Sequence, residues 1–120
     1  MKSDGTGLKR LTNTPKRDES RATWSPDGKR LAIQRGYIND TERGSIALMD
    51  ATPGAKQTLI RRNPRYVDGY NVRFSGPDWS PKGDQLAVTE WEIYDHSYPS
   101  LRLMSLTGKT GSCSRLWIRR

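Results

Sequence analysis

This chain has little of what usually holds metals or closes bridges: one cysteine, Cys113, and one histidine, His96, in 120 residues. A lone cysteine cannot form an intrachain disulfide, and one cysteine with one histidine cannot complete a zinc site. No apolar run approaches the roughly 20 residues that cross a bilayer as a helix, so no membrane span is expected. The N-terminal "MKSDGTGLKR" has no apolar stretch of the kind a secretory leader carries. An exported form would need its leader from a longer chain. Capped segments with apolar residues at i, i+3, i+4 and i+7 are missing, which argues against helices. "GTG" at residues 5–7 is too short for a phosphate-binding loop and opens no helix.

Acidic residues are outnumbered by basic ones, 13 against 21, which leaves a net charge of +8. Such a balance favours acidic partners. Yet no block reaches the five or six like charges of an interaction tail, so solubility is the plainer reading. Arg61, Arg62 and Arg65, with Lys9, Arg10 and the C-terminal Arg119 and Arg120, could line up as a basic band that binds polyanions in a salt-sensitive way. Lys and Arg also discourage pairing at exposed strand edges, and nucleic acid is not the expected partner. Four Trp and five Tyr argue against disorder.

What is present is a repeat. "TWSPDGKRLAI" (residues 23–33) returns further along as "DWSPKGDQLAV" (78–88). Trp24, Ser25, Pro26 and Gly28 map to Trp79, Ser80, Pro81 and Gly83, and Leu48-Met49 maps to Leu103-Met104 in the same register. Upstream the register slips: Pro15 stands nine residues before Trp24 and Pro64 fifteen before Trp79, a six-residue insertion in a loop near "YVDGYN". Each unit reads as four short strands. A Trp-bearing strand leads into an S-P-x-G turn with Pro at i+1 and Gly where a positive φ is wanted. Strands "RLAIQ" and "QLAVT", then "SIALMD" and "SLRLMS", then "QTLIRR" and "RLWIRR" follow. "DGTGLKRLT" reads as a fourth strand without its first three.

The expected fold is therefore all-β: antiparallel four-stranded blades of a propeller, two of them, plus one extra outer strand. The chain is read as a single partial domain. Residues 1–13 are the outer strand of a preceding blade, 20–62 the first full blade and 74–120 the second. Trp24 and Trp79 are expected to fill the space between adjacent sheets. Leu31, Ile33, Leu86 and Val88 line the same interfaces, with Ala32 and Ala87 small where the next sheet comes close. Trp24, Pro26, Asp27, Gly28, Trp79, Pro81 and Gly83 are thus read as scaffold. Asp27 before Gly28 is expected to bind local backbone N–H groups, because Lys82 replaces it in the second copy.

"LTNTPKRDESRATWSPDGKRLAI" (11–33) resembles the TolB-like propeller family, whose blades end an outer strand in "LT" and pass through a loop into "WSPDG" and a short apolar strand. The likeness covers Asp4 to about Met49 closely and Asp78 to Met104 well; Lys82 and the longer preceding loop depart from it. It implies a non-enzymatic scaffold without cofactor that binds another protein in the bacterial periplasm, with a cytoplasmic setting as the alternative. Closed propellers hold about 4–8 blades. Two blades are then part of a larger propeller, or copies of the chain complete a ring. Similar blades gate prolyl-oligopeptidase-like serine peptidases, whose separate catalytic domain carries a G-x-S-x-G elbow that this sequence lacks.

No catalytic, cofactor-binding or metal-binding residue is expected. Asp95, His96 and Ser97 are neighbours in one loop, where side chains point apart rather than converge as a triad requires. Partner contacts are expected from loops: Tyr37, Asn39, Arg65, Tyr66, Tyr70, Tyr94, His96 and Tyr98, since Tyr and Arg are frequent at binding hot spots.

Overall fold

The computed structural model describes residues 2–37, 45–61, 72–92 and 98–110. Strands form where apolar residues alternate with polar or small ones, the two-residue period of extended chain. They are β1 (Arg17–Trp24), β2 (Arg30–Tyr37), β3 (Ser45–Asp50), β4 (Thr58–Arg61), β5 (Val72–Trp79), β6 (Gln85–Glu92) and β7 (Tyr98–Ser105). No helix occurs among the described residues. The strands make two antiparallel sheets, ordered β1-β2-β3-β4 and β5-β6-β7. The first unit thus has its four expected strands, starting at Arg17 rather than at residue 20. The second has three, and its expected fourth, in 111–120, lies outside the described residues.

The backbone obeys the offset that carries Trp24 onto Trp79. β5 and β6 begin and end at the positions onto which that offset carries the ends of β1 and β2. Trp24 pairs with Leu31 as Trp79 pairs with Leu86. Both first hairpins carry a bulge at the same place, between Ser20 and Thr23 and between Ser75 and Asp78. Each bulge holds a left-handed residue, as bulges of the glycine type do. Gly76 supplies it at φ 57°, and Arg21 stands there at φ 51° in the first copy, a conformation that disfavours any Cβ. The six-residue insertion accordingly falls before Val72. The S-P-x-G turns also match: Gly28 and Gly83 sit at φ 72° and 71°, and each donates its N–H to the carbonyl of Ser25 or Ser80 at 2.9 Å.

The main core lies between the sheets. Trp79, Leu86, Val88, Phe74 and Met104 of the second sheet pack on Ala32, Ile46 and Leu48 of the first. Leu31, Ile33, Ala47 and Met49 point the other way and form a second cluster on the outer face of the first sheet. The front face of one unit therefore meets the back face of the other, so equivalent residues have different surroundings. Trp79 is 8% exposed, its Nε1 donates to the Thr23 carbonyl at 3.1 Å, and the Arg30 guanidinium lies 5.0 Å from its ring centroid. Trp24 is 59% exposed.

Three expectations are corrected here. Trp24 does not fill the space between the two described sheets, because the second sheet lies on the opposite face of the first. Leu31 and Ile33 line that same outer face rather than the core between the sheets, and among the described residues Ala87 has no sheet against it. Residues 2–13 form no strand. A strand needs a neighbour to pair with, and residues 2–13 pair with none of the described strands. The segment still docks where such a strand would lie. Leu11 packs on the outer cluster as Ile60 of β4 packs on the main core. The Leu11 carbonyl accepts from the Gly54 N–H at 3.0 Å. The Ile60 carbonyl lies so close against Gly108 that a Cβ there would collide with the oxygen.

Trp79→Ala should lose about 3–5 kcal/mol of stability in urea unfolding, as large core truncations do. Trp24→Ala should change it by less than about 0.5 kcal/mol, as exposed positions do; equal losses would contradict the assignment of faces. Gly108→Ala meets backbone as well as a φ of 83°. It should cost roughly 2 kcal/mol or more, whereas Gly54→Ala, with open space around it, should lose only the left-handed preference, about 1 kcal/mol.

Candidate functional site

Antiparallel strands put alternate connections at opposite ends. Tyr37, Ser45, Arg61, Val72, Glu92 and Tyr98 end or begin their strands on one side. The turns 25–29, 51–57, 80–84 and 106–109 lie on the other. The two sheets share this polarity: the ring of Pro26 lies 3.5 Å from where a Cβ on Gly83 would stand, so the S-P-x-G turns stack side by side. The strand ends flanking segments 38–44, 62–71 and 93–97 therefore gather at one end of the molecule. All eight candidate partner-binding residues belong to these strand ends or to the segments between them. Tyr37 closes β2 opposite Arg17, and Tyr98 opens β7 opposite Glu92. Asn39, Arg65, Tyr66, Tyr70, Tyr94 and His96 lie outside the described residues, as do Asp95, Ser97 and Cys113.

The turn end has a different chemistry. The Asp27 carboxylate accepts from Ser25 Oγ at 2.6 Å and from the Lys29 N–H at 3.0 Å. These bonds, the hydroxyl first, hold its carboxyl below the ordinary carboxylate value. In the second turn the acid has moved two places: Asp84 accepts from Ser80 Oγ at 2.7 Å while Lys82 takes the place of Asp27. Asp27 is thus a turn residue, as its exchange with Lys82 anticipates. The unanticipated constant is the serine. Ser25, Ser80 and Ser105 each use Oγ to accept a backbone N–H across the turn, from Arg30, Gln85 and Lys109. The repetition of Ser25 as Ser80 was the signal for it.

Toward the opposite end the described side chains are charged and mutually engaged. Arg102 donates through Nε and Nη2 to Glu90 Oε1 at 3.2 and 3.1 Å, a largely buried ion pair on the inter-sheet face. The Arg61 guanidinium lies 5.3 Å from the Phe74 ring centroid, and its Nε is buried. Arg61 therefore turns inward rather than standing on an exposed basic rim. Arg10 binds the Thr12 carbonyl at 2.8 Å; Arg62 and Arg65 lie outside the described residues. Nothing in the residue pattern signalled Glu90 and Arg102, whose meeting depends on strand register.

Glu19 anchors the N-terminal segment. It stands where the second unit has Phe74, and accepts from Thr12 Oγ1 at 2.5 Å, from Thr14 Oγ1 at 2.8 Å and from Gln57. Burial pushes its carboxyl up. The bonds from Thr12, Gln57 and Thr14, aided by Arg17, outweigh that and hold it below its ordinary 4.5. Among the described residues no group of three or more His, Cys, Asp or Glu could hold a metal, and no helix is long and apolar enough to cross a membrane.

A carboxyl lowered by folding stabilises the fold fully above its unfolded pKa and loses that contribution as pH falls through the folded one. Urea midpoints should therefore fall as pH drops below about 4.5, and Glu19→Gln should remove part of this slope. An unchanged slope would refute the anchoring role.

The chain matches no protein-family model, no curated protein and no solved structure.

Proposed function

We propose that this chain is a TolB-like propeller segment that serves as a non-catalytic scaffold for binding another protein, in the bacterial periplasm as that resemblance implies. Two consecutive blades, packed front to back, carry their partner-binding segments at one end. The supporting observation is the gathering of the strand ends Tyr37, Arg61, Val72, Glu92 and Tyr98 on one side of both sheets. Between them the sequence holds Tyr66, Tyr70, Tyr94, Arg65 and His96. Loops on a rigid sheet scaffold are where binding residues concentrate, and Tyr and Arg supply contact area and charge suited to an acidic partner. The inward packing of Arg61 on Phe74 speaks against an exposed basic rim built for polyanions.

The test is retention of periplasmic protein on the immobilised chain, compared between wild type, a Tyr66→Ala/Tyr70→Ala/Tyr94→Ala variant and a turn-end control, Lys29→Ala/Lys82→Ala. The tyrosine variant should lose at least about tenfold in affinity for the retained protein, as loss of hot-spot residues does. The control and added polynucleotide should leave binding unchanged. Equal retention by the wild type and the tyrosine variant, or displacement by polynucleotide, would overturn the proposal.

A further inference from the structure

The interface inside this molecule uses two surfaces, and each has a twin in the other copy of the repeat that meets no second sheet among the described residues. The used front face belongs to the second sheet: Trp79, Leu86, Val88 and Met104. Its twin is Trp24, Leu31, Ile33 and Met49 on the outer face of the first sheet, where Leu11 packs beside the last three and leaves them 6%, 4% and 4% exposed while Trp24 is 59% exposed. The used back face belongs to the first sheet: Ala32, Ile46 and Leu48. Its twin is Ala87, Leu101 and Leu103 on the far face of the second. The contrast in exposure is large. Ile46 and Leu48 are 0% and 8% exposed, whereas Leu101 and Leu103 are 75% and 48% exposed.

We propose that a second copy of this chain covers these faces, its Trp24 face seated on the Leu101–Leu103 face of the first, repeating the internal packing head to tail. This rests on the reading of the two sheets as consecutive like units. The occupant is identified by the molecule itself, since the surface that covers Trp79, and the one that covers Ile46 and Leu48, are already in use inside the same chain, whereas Trp24, Leu101 and Leu103 stand exposed. Beside Trp24 the outer face opens into a groove of about 380 Å³, lined by Leu11, Ala22, Leu31, Ile33 and Met49. On the second sheet, the equivalents of Leu31, Ile33 and Met49 are covered by Ala32, Ile46 and Leu48. In the proposed contact Leu101 and Leu103 do the same for the groove, and Trp24 Nε1 donates to the neighbour's backbone carbonyl at Asp78, as Trp79 Nε1 donates to Thr23.

Several substitutions distinguish the copies of the interface. Gln85 stands in the place of Arg30, so the cation over the Trp ring is absent, and Glu19 stands in the place of Phe74. Arg35 and Ala47 stand where the internal interface has Glu90 and Arg102, so that ion pair is not repeated, and the apolar exchanges are Ile33 for Val88 and Leu101 for Ile46. Glu19 is already bonded by Thr12, Thr14 and Gln57 and brings no unpaired carboxylate to the contact. The intermolecular contact is therefore weaker than the internal one and should be reversible with concentration. A head-to-tail contact of this kind closes into a ring or grows into a filament, according to the rotation at each step.

Sedimentation of the full chain over roughly 1–200 µM, bracketing a micromolar Kd, tests the proposal with two single variants. Wild type should show a rising mass. Trp24→Glu and Leu103→Glu should each remain monomeric, since each lacks one of the two faces. Mixed in equal amounts they should form a heterodimer, because each supplies the face the other lacks. In exchange-protection measurements the Trp79 indole N–H should be protected in every sample, and that of Trp24 only in the assembled wild type and the mixture. A monomeric wild type, association of either variant alone at wild-type strength, or no complex in the mixture would overturn the self-docking. If Trp79 stayed protected, the stacked-unit reading beneath it would survive; loss of Trp79 protection in monomeric wild type would remove both.

Discussion

The structure depends on one contact: the front of the second sheet buried against the back of the first. Three- and four-stranded sheets of this size have two faces each and no helix among the described residues to cover either. Stability must come from laying one sheet on the other. Trp79 is the largest side chain in that layer, and its indole N–H finds the Thr23 carbonyl, so the biggest apolar group enters the core without leaving a polar atom unpaired. Gly108 permits the closest approach, with the Ile60 carbonyl where a side chain would otherwise begin.

The same contact makes the molecule asymmetric although its sequence repeats. Front-to-back packing consumes one face from each unit and leaves Trp24 exposed on one remaining face and Leu101 and Leu103 on the other. The N-terminal segment deals with part of the outer face. Leu11 takes the place that Ile60 takes on the second sheet, and the Thr12–Glu19 hydrogen bond replaces the stacking of Arg61 on Phe74. Equivalent positions meet equivalent neighbours in both units, yet a polar contact has been exchanged for an aromatic one. This is what a face shielded by a short, irregular segment can tolerate and a face pressed against a whole sheet cannot.

On sheet frames of this kind, binding residues concentrate in the connections. The turn end is held by repeated serine hydroxyls and local carboxylates, and its groups are spent on the backbone they stabilise. The opposite end gathers the strand ends between which the sequence holds most of its tyrosines and its sole histidine. That division supports the proposed scaffold, which presents loops to a partner, over a site where reacting groups converge.

Much of the local architecture was legible in the chain: strand positions, the S-P-x-G turns, the glycines at positive φ, the role of Asp27 and the slip in register before Val72. Each follows from the two-residue period of a strand or from the stereochemistry of a turn, and so is settled within a few neighbouring residues. Residues 2–13 read as a strand and are not one, because pairing requires a neighbour that local sequence cannot supply. The fates of Trp24 and Trp79 were equally illegible. Both sit in the same phrase, in the same register, beside the same leucine, and only one is buried. The meeting of Glu90 with Arg102, and the gathering of loop-bearing strand ends at one side, belong to this second class. Sequence alone determined what each unit looks like. Tertiary structure decided which of its faces meets another surface, because burial depends on what is brought against a residue and not on the residue itself.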